Sequence, residues 1–354
     1  MNLLRKIKSY ARSKQFTKFI FYFIYCFIYL PFFLFEIISF KFRKKNSEFS
    51  YQYMIRLYIL TGGWSNTLIS KFLCYKKKMI HIQNDISDYT YLGKNISDIN
   101  TEIKTKGYCV LPELFSEEII NTLYNKLIKC SGKYKSDIYS SKEYETLELE
   151  NSKGTKFEYN KNDLIEFEEV QKIFFDKKLL KIIENYLDGV PIVDILASWW
   201  NFPSNNADHT AAQLWHFDMD RPKWLKVFIY LTDCNENNGP HCFINGTNNN
   251  GSIPFKIRSY GYARLEDEII DKYYKKEEIR TFTAKKGTVL IEDTRGLHKG
   301  LKVEKGNRLL LQCQYSSSLF GASIDKINFP KNITNCFSEI KKNNKMILEN
   351  FKYL

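Results

Sequence analysis

Residues 308–315 read Arg308-Leu309-Leu310-Leu311-Gln312-Cys313-Gln314-Tyr315. In an extended chain successive side chains alternate between faces, so Arg308, Leu310, Gln312 and Gln314 share one side. The run predicts a strand with an arginine at its start. Working outward, strand signals recur at 287–293, 281–283, 226–232, 212–219 and 192–200. A further short strand, Gly107 to Pro112, precedes a helix that Ser116 caps and Ile119, Ile120, Leu123 and Leu127 make amphipathic. A helix is expected over 170–187, ending near Gly189 and Pro191, and others over 263–278 and from 338 onward. Many short strands following a helical N-terminal portion imply a β-barrel or sandwich core carrying helices, because each sheet must bury one face. Residues 131–170 are polar with weak periodicity and read as an irregular insertion, a candidate cover.

Chemistry concentrates around these strands. His216-Phe217-Asp218 places two metal-ligating side chains on one face of an extended segment. His298 follows about eighty residues later, just beyond the strand at 287–293, and Arg308 ten residues after that. Two histidines and one carboxylate form the facial set that holds Fe(II) on one side and leaves the other open. An arginine nearby can clamp a carboxylate through two parallel hydrogen bonds. The spacing points to an oxygenase. The plain alternatives are a solvated His-x-Asp loop, a surface histidine and a surface arginine paired with an acid. Gln312 lines the same cavity or faces solvent, and Gln314 reads as structural. Trp199, Trp200, Trp215 and Trp224 read as barrel-wall core. His81, His209 and His241 lie in connector, loop and turn; His241, after Gly239-Pro240, could reach substrate, but a turn histidine is usually just solvated.

Composition narrows the classes. The chain has 354 residues and a formal charge of +13. Residues 1–46 hold ten basic side chains and one acid, Glu36, which leaves only +4 for the remainder. The basic excess therefore belongs to the N-terminus, and no nucleic-acid reading module is present. Eight scattered cysteines without a CxxC pair imply reduced thiols and a cytoplasmic enzyme.

Residues 19–35 form a run without charge, interrupted by Pro31 and flanked by basic residues on both sides. The run is too long and lacks the cleavage site of a signal peptide. It is near the lower limit for a span, and Pro31 should kink a helix there. Basic flanks on both ends fit a re-entrant or interfacial helix on an anionic leaflet. A full span and a buried core helix are the alternatives. The expected organisation is a membrane-associating segment at 1–46, a helical connector at 47–104, the catalytic domain at 105–325 and a C-terminal helix at 326–354. The body is expected at the cytoplasmic face of a membrane.

Over roughly residues 105–318 the sequence resembles the phytanoyl-CoA dioxygenase family of Fe(II)/2-oxoglutarate oxygenases. The resemblance is carried by Gly107-Tyr108-Cys109-Val110-Leu111-Pro112, Trp215-His216-Phe217-Asp218, the strand from Lys226 and the turn Asn237-Asn238-Gly239-Pro240. It is carried most specifically by the ordered series Gly287-Thr288, Glu292-Asp293-Thr294, His298-Lys299-Gly300 and Arg308-Leu309-Leu310-Leu311-Gln312. It implies an α+β chain with a mainly β core, a double-stranded β-helix (a cupin-like jelly-roll barrel) with N-terminal helices packed outside. It implies iron on His216, Asp218 and His298, 2-oxoglutarate held by Arg308 with Gln312 beside it, and O2 as second co-substrate. The implied reaction hydroxylates an unactivated C–H bond of a small-molecule or lipid-like substrate and releases succinate and CO2. A carboxylate at 218 argues for hydroxylation over halogenation. Two departures stand out: Gly246-Thr247-Asn248 replaces a common Gly-Ser-His, and Asn201 stands where a basic residue often helps hold the co-substrate. The competing readings are a tethered cupin-like binding protein that has lost turnover, and a membrane scaffold in which residues 1–46 are the functional part.

Overall fold

The computed structural model describes residues 2–76, 90–136, 139–204 and 212–353, so His81 and His209 lie outside the described residues. Four helices lead: α1 (Asn2–Arg43), α2 (Glu48–Thr61), α3 (Trp64–Leu73) and α4 (Ile96–Lys106). Next come β1 (Tyr108–Leu111), α5 (Glu117–Leu127), β2 (Lys133–Lys135), β3 (Lys156–Glu158), α6 (Lys161–Leu164), α7 (Glu168–Phe174) and α8 (Lys177–Leu187). The barrel proper follows with β4 (Ile192–Asn201), β5 (Trp224–Tyr230), β6 (His241–Ile244), α9 (Phe255–Arg258), α10 (Asp267–Ile270), β7 (Ile279–Phe282), β8 (Val289–Glu292), β9 (His298–Gly300) and β10 (Arg308–Ser316). The chain closes with β11 (Ile327–Asn328), α11 (Asn335–Asn343) and β12 (Phe351–Lys352).

Seven strands form one sheet in the order β1-β8-β5-β10-β4-β3-β2, and β7-β6-β9 form a second. All pairings within these two sheets are antiparallel. The large sheet buries both faces. Leu225, Val227, Ile229, Leu309, Leu311 and Cys313 pack outward with the buried residues of α4, α5, α7 and α8. On the inner face Phe228, Tyr230, Leu290 and Leu310 meet Phe243 and Phe282 of the small sheet. Two antiparallel sheets closing on one another make the double-stranded β-helix, with helices outside.

Several expectations shift. The 131–170 stretch is not irregular throughout: β2 and β3 extend the large sheet, anchored by Tyr134 and Phe157, which are fully buried and stack edge to face at 4.7 Å. The helix expected over 170–187 is two, because Asp176 caps α8 by accepting a hydrogen bond from the Leu179 N–H at 2.9 Å. The 263–278 segment holds only the one-turn α10 and a 3-10 turn, Lys276–Glu278. The strand expected at 212–219 reduces to bridges from Trp215 to Leu265 and from His216 to His298. Helix α1 runs on through Pro31.

The N-terminal helices are built into the body. Ile55, Tyr58 and Ile59 of α2 join Trp215, Phe217, Met219 and Leu297 in one apolar cluster. The Tyr58 ring stacks on Phe217 at 5.7 Å.

Candidate active site

The alternation around 216–219 decides what faces where. Trp215, Phe217 and Met219 point outward into the cluster with α2, so His216 and Asp218 point between the sheets. His298 pairs in register with Phe243, an inner-face residue, and exchanges two backbone hydrogen bonds with His216 at 3.0 and 2.9 Å. The Asp218 N–H donates to Thr294 O at 2.9 Å. Backbone pairing alone thus brings three distant side chains together. Their ligand atoms lie within 4.8 Å of one another, and all three residues are buried.

Both imidazoles are fixed in one tautomer. His216 Nδ1 lies 2.8 Å from Leu214 O, and His298 Nδ1 lies 2.9 Å from Gly296 O. A carbonyl only accepts, so each Nδ1 carries the proton and each Nε2 keeps a bare lone pair. Burial pushes the His216 pKa down to about 4 and that of His298 to about 3. Burial acts to raise Asp218, but the Lys226 ammonium outweighs it and holds the carboxyl well below the usual range. Lys226 Nζ donates to Asp218 Oδ2 at 2.6 Å, and His298 Nε2 stands 3.7 Å from the same oxygen.

Glycine is required where His298 is aimed. A Cβ on Gly296 would meet the Phe243 ring at 2.3 Å and Thr247 Oγ1 at 2.9 Å. Thr247 itself bridges the strands, accepting from Leu297 N–H at 2.9 Å and donating to Ile244 O at 2.6 Å. The departure at Gly246-Thr247-Asn248 is therefore a structural tie beside His298.

Arg308 opens β10 and is buried, with its guanidinium inside the barrel. Nη1 donates to Gly239 O and Nη2 to Asn201 Oδ1, the latter at 2.8 Å, while the buried Nε has no partner. Gly239 takes φ of +77°, which a side chain would strain. Asn201 also accepts from Trp199 Nε1 at 3.0 Å, so it orients the arginine. On the neighbouring strand Lys156 stands opposite Asn201 in register, lies 4.7 Å from the Trp199 ring centroid and pairs with Glu158 at 3.6 Å. Gln312 sits further along the inner face between Phe228 and Ala197. Gln314 is structural: its Nε2 donates to Asp194 Oδ2 at 3.0 Å, and Arg221 holds both oxygens of that buried acid at 2.7 and 2.8 Å.

Sequence reasoning missed one inner-face group and misplaced another. Lys226 shares its face with Trp224, Phe228 and Tyr230, and a lysine in an aromatic row was the available signal. His241 is a strand residue, not a turn residue. Its Nε2 lies 3.0 Å from Oε1 and 2.8 Å from Oε2 of the fully buried Glu292, and its ring is 5.6 Å from that of His298. One ring nitrogen thus faces both oxygens of the buried carboxylate. Glu292 lay within the quoted motif, but nothing in the sequence paired it with His241.

The family model for phytanoyl-CoA dioxygenase matches residues 103–303. The chain belongs to the phytanoyl-CoA dioxygenase family. It is an Fe(II)- and 2-oxoglutarate-dependent oxygenase. The dioxygenase finds no match among curated proteins. Among solved structures it is similar to EctD from S. alaskensis in its apoform, at 15% identity and TM-score 0.46, over 69% of this chain and 82% of that one. It is also similar to EvdO2 from Micromonospora carbonacea var. aurantiaca, at 14% identity and TM-score 0.46, over 70% and 98%. The non-heme alpha ketoglutarate dependent epimerase SnoN from nogalamycin biosynthesis aligns at 13% identity and TM-score 0.42, over 62% and 82%.

The residues of the dioxygenase fit both groups the family uses. Two Nε2 lone pairs and an ionised carboxylate converge on one point, the donor set that suits ferrous iron. The orphaned Nε of Arg308 is a buried donor pointing to a missing acceptor, and a dicarboxylate supplies one.

Proposed function

We propose that this dioxygenase is a membrane-associated hydroxylase in which His216, Asp218 and His298 hold the iron and Arg308 holds the distal carboxylate of 2-oxoglutarate. The observation that carries the reading is the convergence of the three ligand atoms within 4.8 Å, with both Nδ1 atoms committed to carbonyls. When bound, iron, 2-oxoglutarate and O2 supply an oxidative decarboxylation to succinate and CO2 coupled to oxygen insertion at a C–H bond.

The protein's part is placement. The imidazoles stay neutral down to acid pH, so protons do not compete for the ligand atoms in the ordinary range. Lys226 keeps Asp218 ionised. Arg308 offers a planar fork whose direction Gly239 and Asn201 fix. Phe228, Tyr230, Phe243 and Leu310 line the space between the sheets with apolar surface and exclude water. The substrate is a small molecule or a lipid-like one. Membrane association through residues 1–46 rests on α1, whose Phe16–Arg43 portion is long and apolar enough to cross a bilayer yet mostly uncovered by the body. The body sits at the cytoplasmic face, and catalysis belongs to residues 105–325.

The test is turnover of the full-length protein with Fe(II), 2-oxoglutarate and O2 against small-molecule and lipid extracts. Succinate should appear in step with a product heavier by one oxygen. Tight 2-oxoglutarate binding with no succinate from any extract would instead mark a binding protein that has lost catalysis.

A further inference from the structure

Resting on the membrane association proposed above, we propose that α1 lies flat in the interface of an anionic leaflet, with α3 beside it, and does not cross the bilayer. The argument starts from where α1 touches the body. At one end Lys18 Nζ donates to Ser259 O at 2.8 Å, and Phe19 packs on Phe255 at 5.4 Å. Midway Phe33 stacks on Tyr53 at 4.3 Å. At the other end Phe40 packs on Phe320 at 5.3 Å, and Lys44 Nζ is 3.7 Å from Glu349 Oε1. At about 1.5 Å per residue, these anchors lie about 40 Å apart along the helix. The hydrocarbon core is only about 30 Å thick. A helix that crossed it would put Ser259 and Glu349 on opposite sides of the bilayer and drag the charged body between them through hydrocarbon. Lying parallel to the surface is the orientation that keeps the body in water.

The faces agree. Cys26, Phe33, Ile37 and Phe40 form the narrow covered stripe, while Phe16, Phe23, Phe27, Leu34, Ile38 and Phe42 are 50–82% exposed. The one acid within the apolar stretch is turned away from this surface. Glu36 accepts from Ser47 Oγ at 2.9 Å and Ser50 Oγ at 2.6 Å at the start of α2. Helix α3 extends the patch, since Trp64, Leu68 and Phe72 are spaced by four and are 62%, 67% and 46% exposed. Lys41 Nζ lies 3.8 Å from the Phe72 ring centroid and joins the two helices. Lys41, Arg43, Lys45 and Lys71 are exposed around this end. A basic rim around a Phe- and Trp-rich face matches an anionic lipid headgroup layer over an apolar interior.

The test uses full-length protein and phosphatidylcholine vesicles with and without phosphatidylserine. Nitroxide labels are placed by Phe16→Cys, Phe27→Cys and Phe42→Cys in a background where Cys74, Cys130 and Cys336 are serine, and their depths are read by paramagnetic relaxation. The expected result is three similar, shallow depths, phosphatidylserine-dependent binding, and bromolipid quenching of tryptophan fluorescence that Trp64→Phe removes. Leu68→Glu should weaken vesicle partitioning by about tenfold or more. Deep burial at 27 with 16 and 42 at opposite headgroup layers would overturn the flat orientation and leave the membrane reading standing. Similar depths without Trp64 quenching would remove α3 from the surface and overturn that part. No vesicle binding, with the labels immobilised in a dimer, would overturn both the membrane reading and this one in favour of a second copy of the chain.

Discussion

Phe228 and Phe27 are the same residue in opposite circumstances. Phe228, on the inner face of β5, is 6% exposed, whereas Phe27, on α1, is 75% exposed. The first is covered because backbone pairing presses two sheets together around it. The second has the body on the far side of its helix and, among the described residues, nothing over it. Leaving a large apolar side chain in water rather than burying it costs about 1.5–3 kcal/mol. Six such side chains on one helix amount to about 10 kcal/mol, similar to the stability of a whole domain. The barrel is finished by its own sequence; the N-terminal face leaves large apolar side chains exposed. The two regions meet where Tyr58 of α2 stacks on Phe217, the residue between two proposed ligands.

That comparison can be broken most severely in the barrel. His298→Ala should abolish iron-dependent succinate release while vesicle binding is unchanged; retained turnover would refute the ligand assignment. Arg308→Leu should cost about 3 kcal/mol of co-substrate binding, more than a hundredfold in half-saturation by 2-oxoglutarate. Maximal rate should fall less, which initial-rate kinetics separates from loss of the fold. Lys226→Met removes the ammonium from Asp218 Oδ2 and should weaken Fe(II) binding by roughly 10–100-fold, measured by anaerobic titration. Tyr58→Ala tests the junction of the two regions: it opens a cavity behind Phe217 and should cost about 3–5 kcal/mol by denaturant unfolding. An unchanged midpoint would make the N-terminal helices a loose attachment.

Acid supplies a subtler probe. His216 and His298 have folded pKa values pushed down by burial to about 4 and about 3. Between the ordinary histidine range and those values the unfolded chain binds more protons than the folded one, so stability falls as pH falls. The loss in metal-free protein should approach about 1.4 kcal/mol per pH unit for each histidine. His216→Gln should flatten the slope between about pH 6 and pH 4. Equal slopes for the two proteins would mean that His216 is not held neutral.

How far the sequence could be read follows from the same contrast. Strand β10 was legible because its residues alternate over nine positions between two buried faces. Strand β9 was not, because three residues, His298-Lys299-Gly300, carry no period. The segment at 212–219 alternates correctly, and its residues face as expected, yet only isolated bridges hold it. The short strands β2 and β3 were hidden in polar sequence, since one buried aromatic each, Tyr134 and Phe157, is all that betrays them. The pairing of His241 with Glu292 joins residues fifty-one apart across facing sheets, which no local pattern encodes. The apolar character of α1 and its basic flanks were visible, but its contacts with Ser259, Phe320 and Glu349 were not, because they join it to distant parts of the chain.

The most direct measurement is optical. Fe(II) and 2-oxoglutarate are added without oxygen to the purified full-length protein, and the visible charge-transfer band of the chelated pair is recorded. A band that is lost in His216→Ala and weakened in Arg308→Leu is the predicted result. A band of equal strength in wild type and His216→Ala would contradict the account.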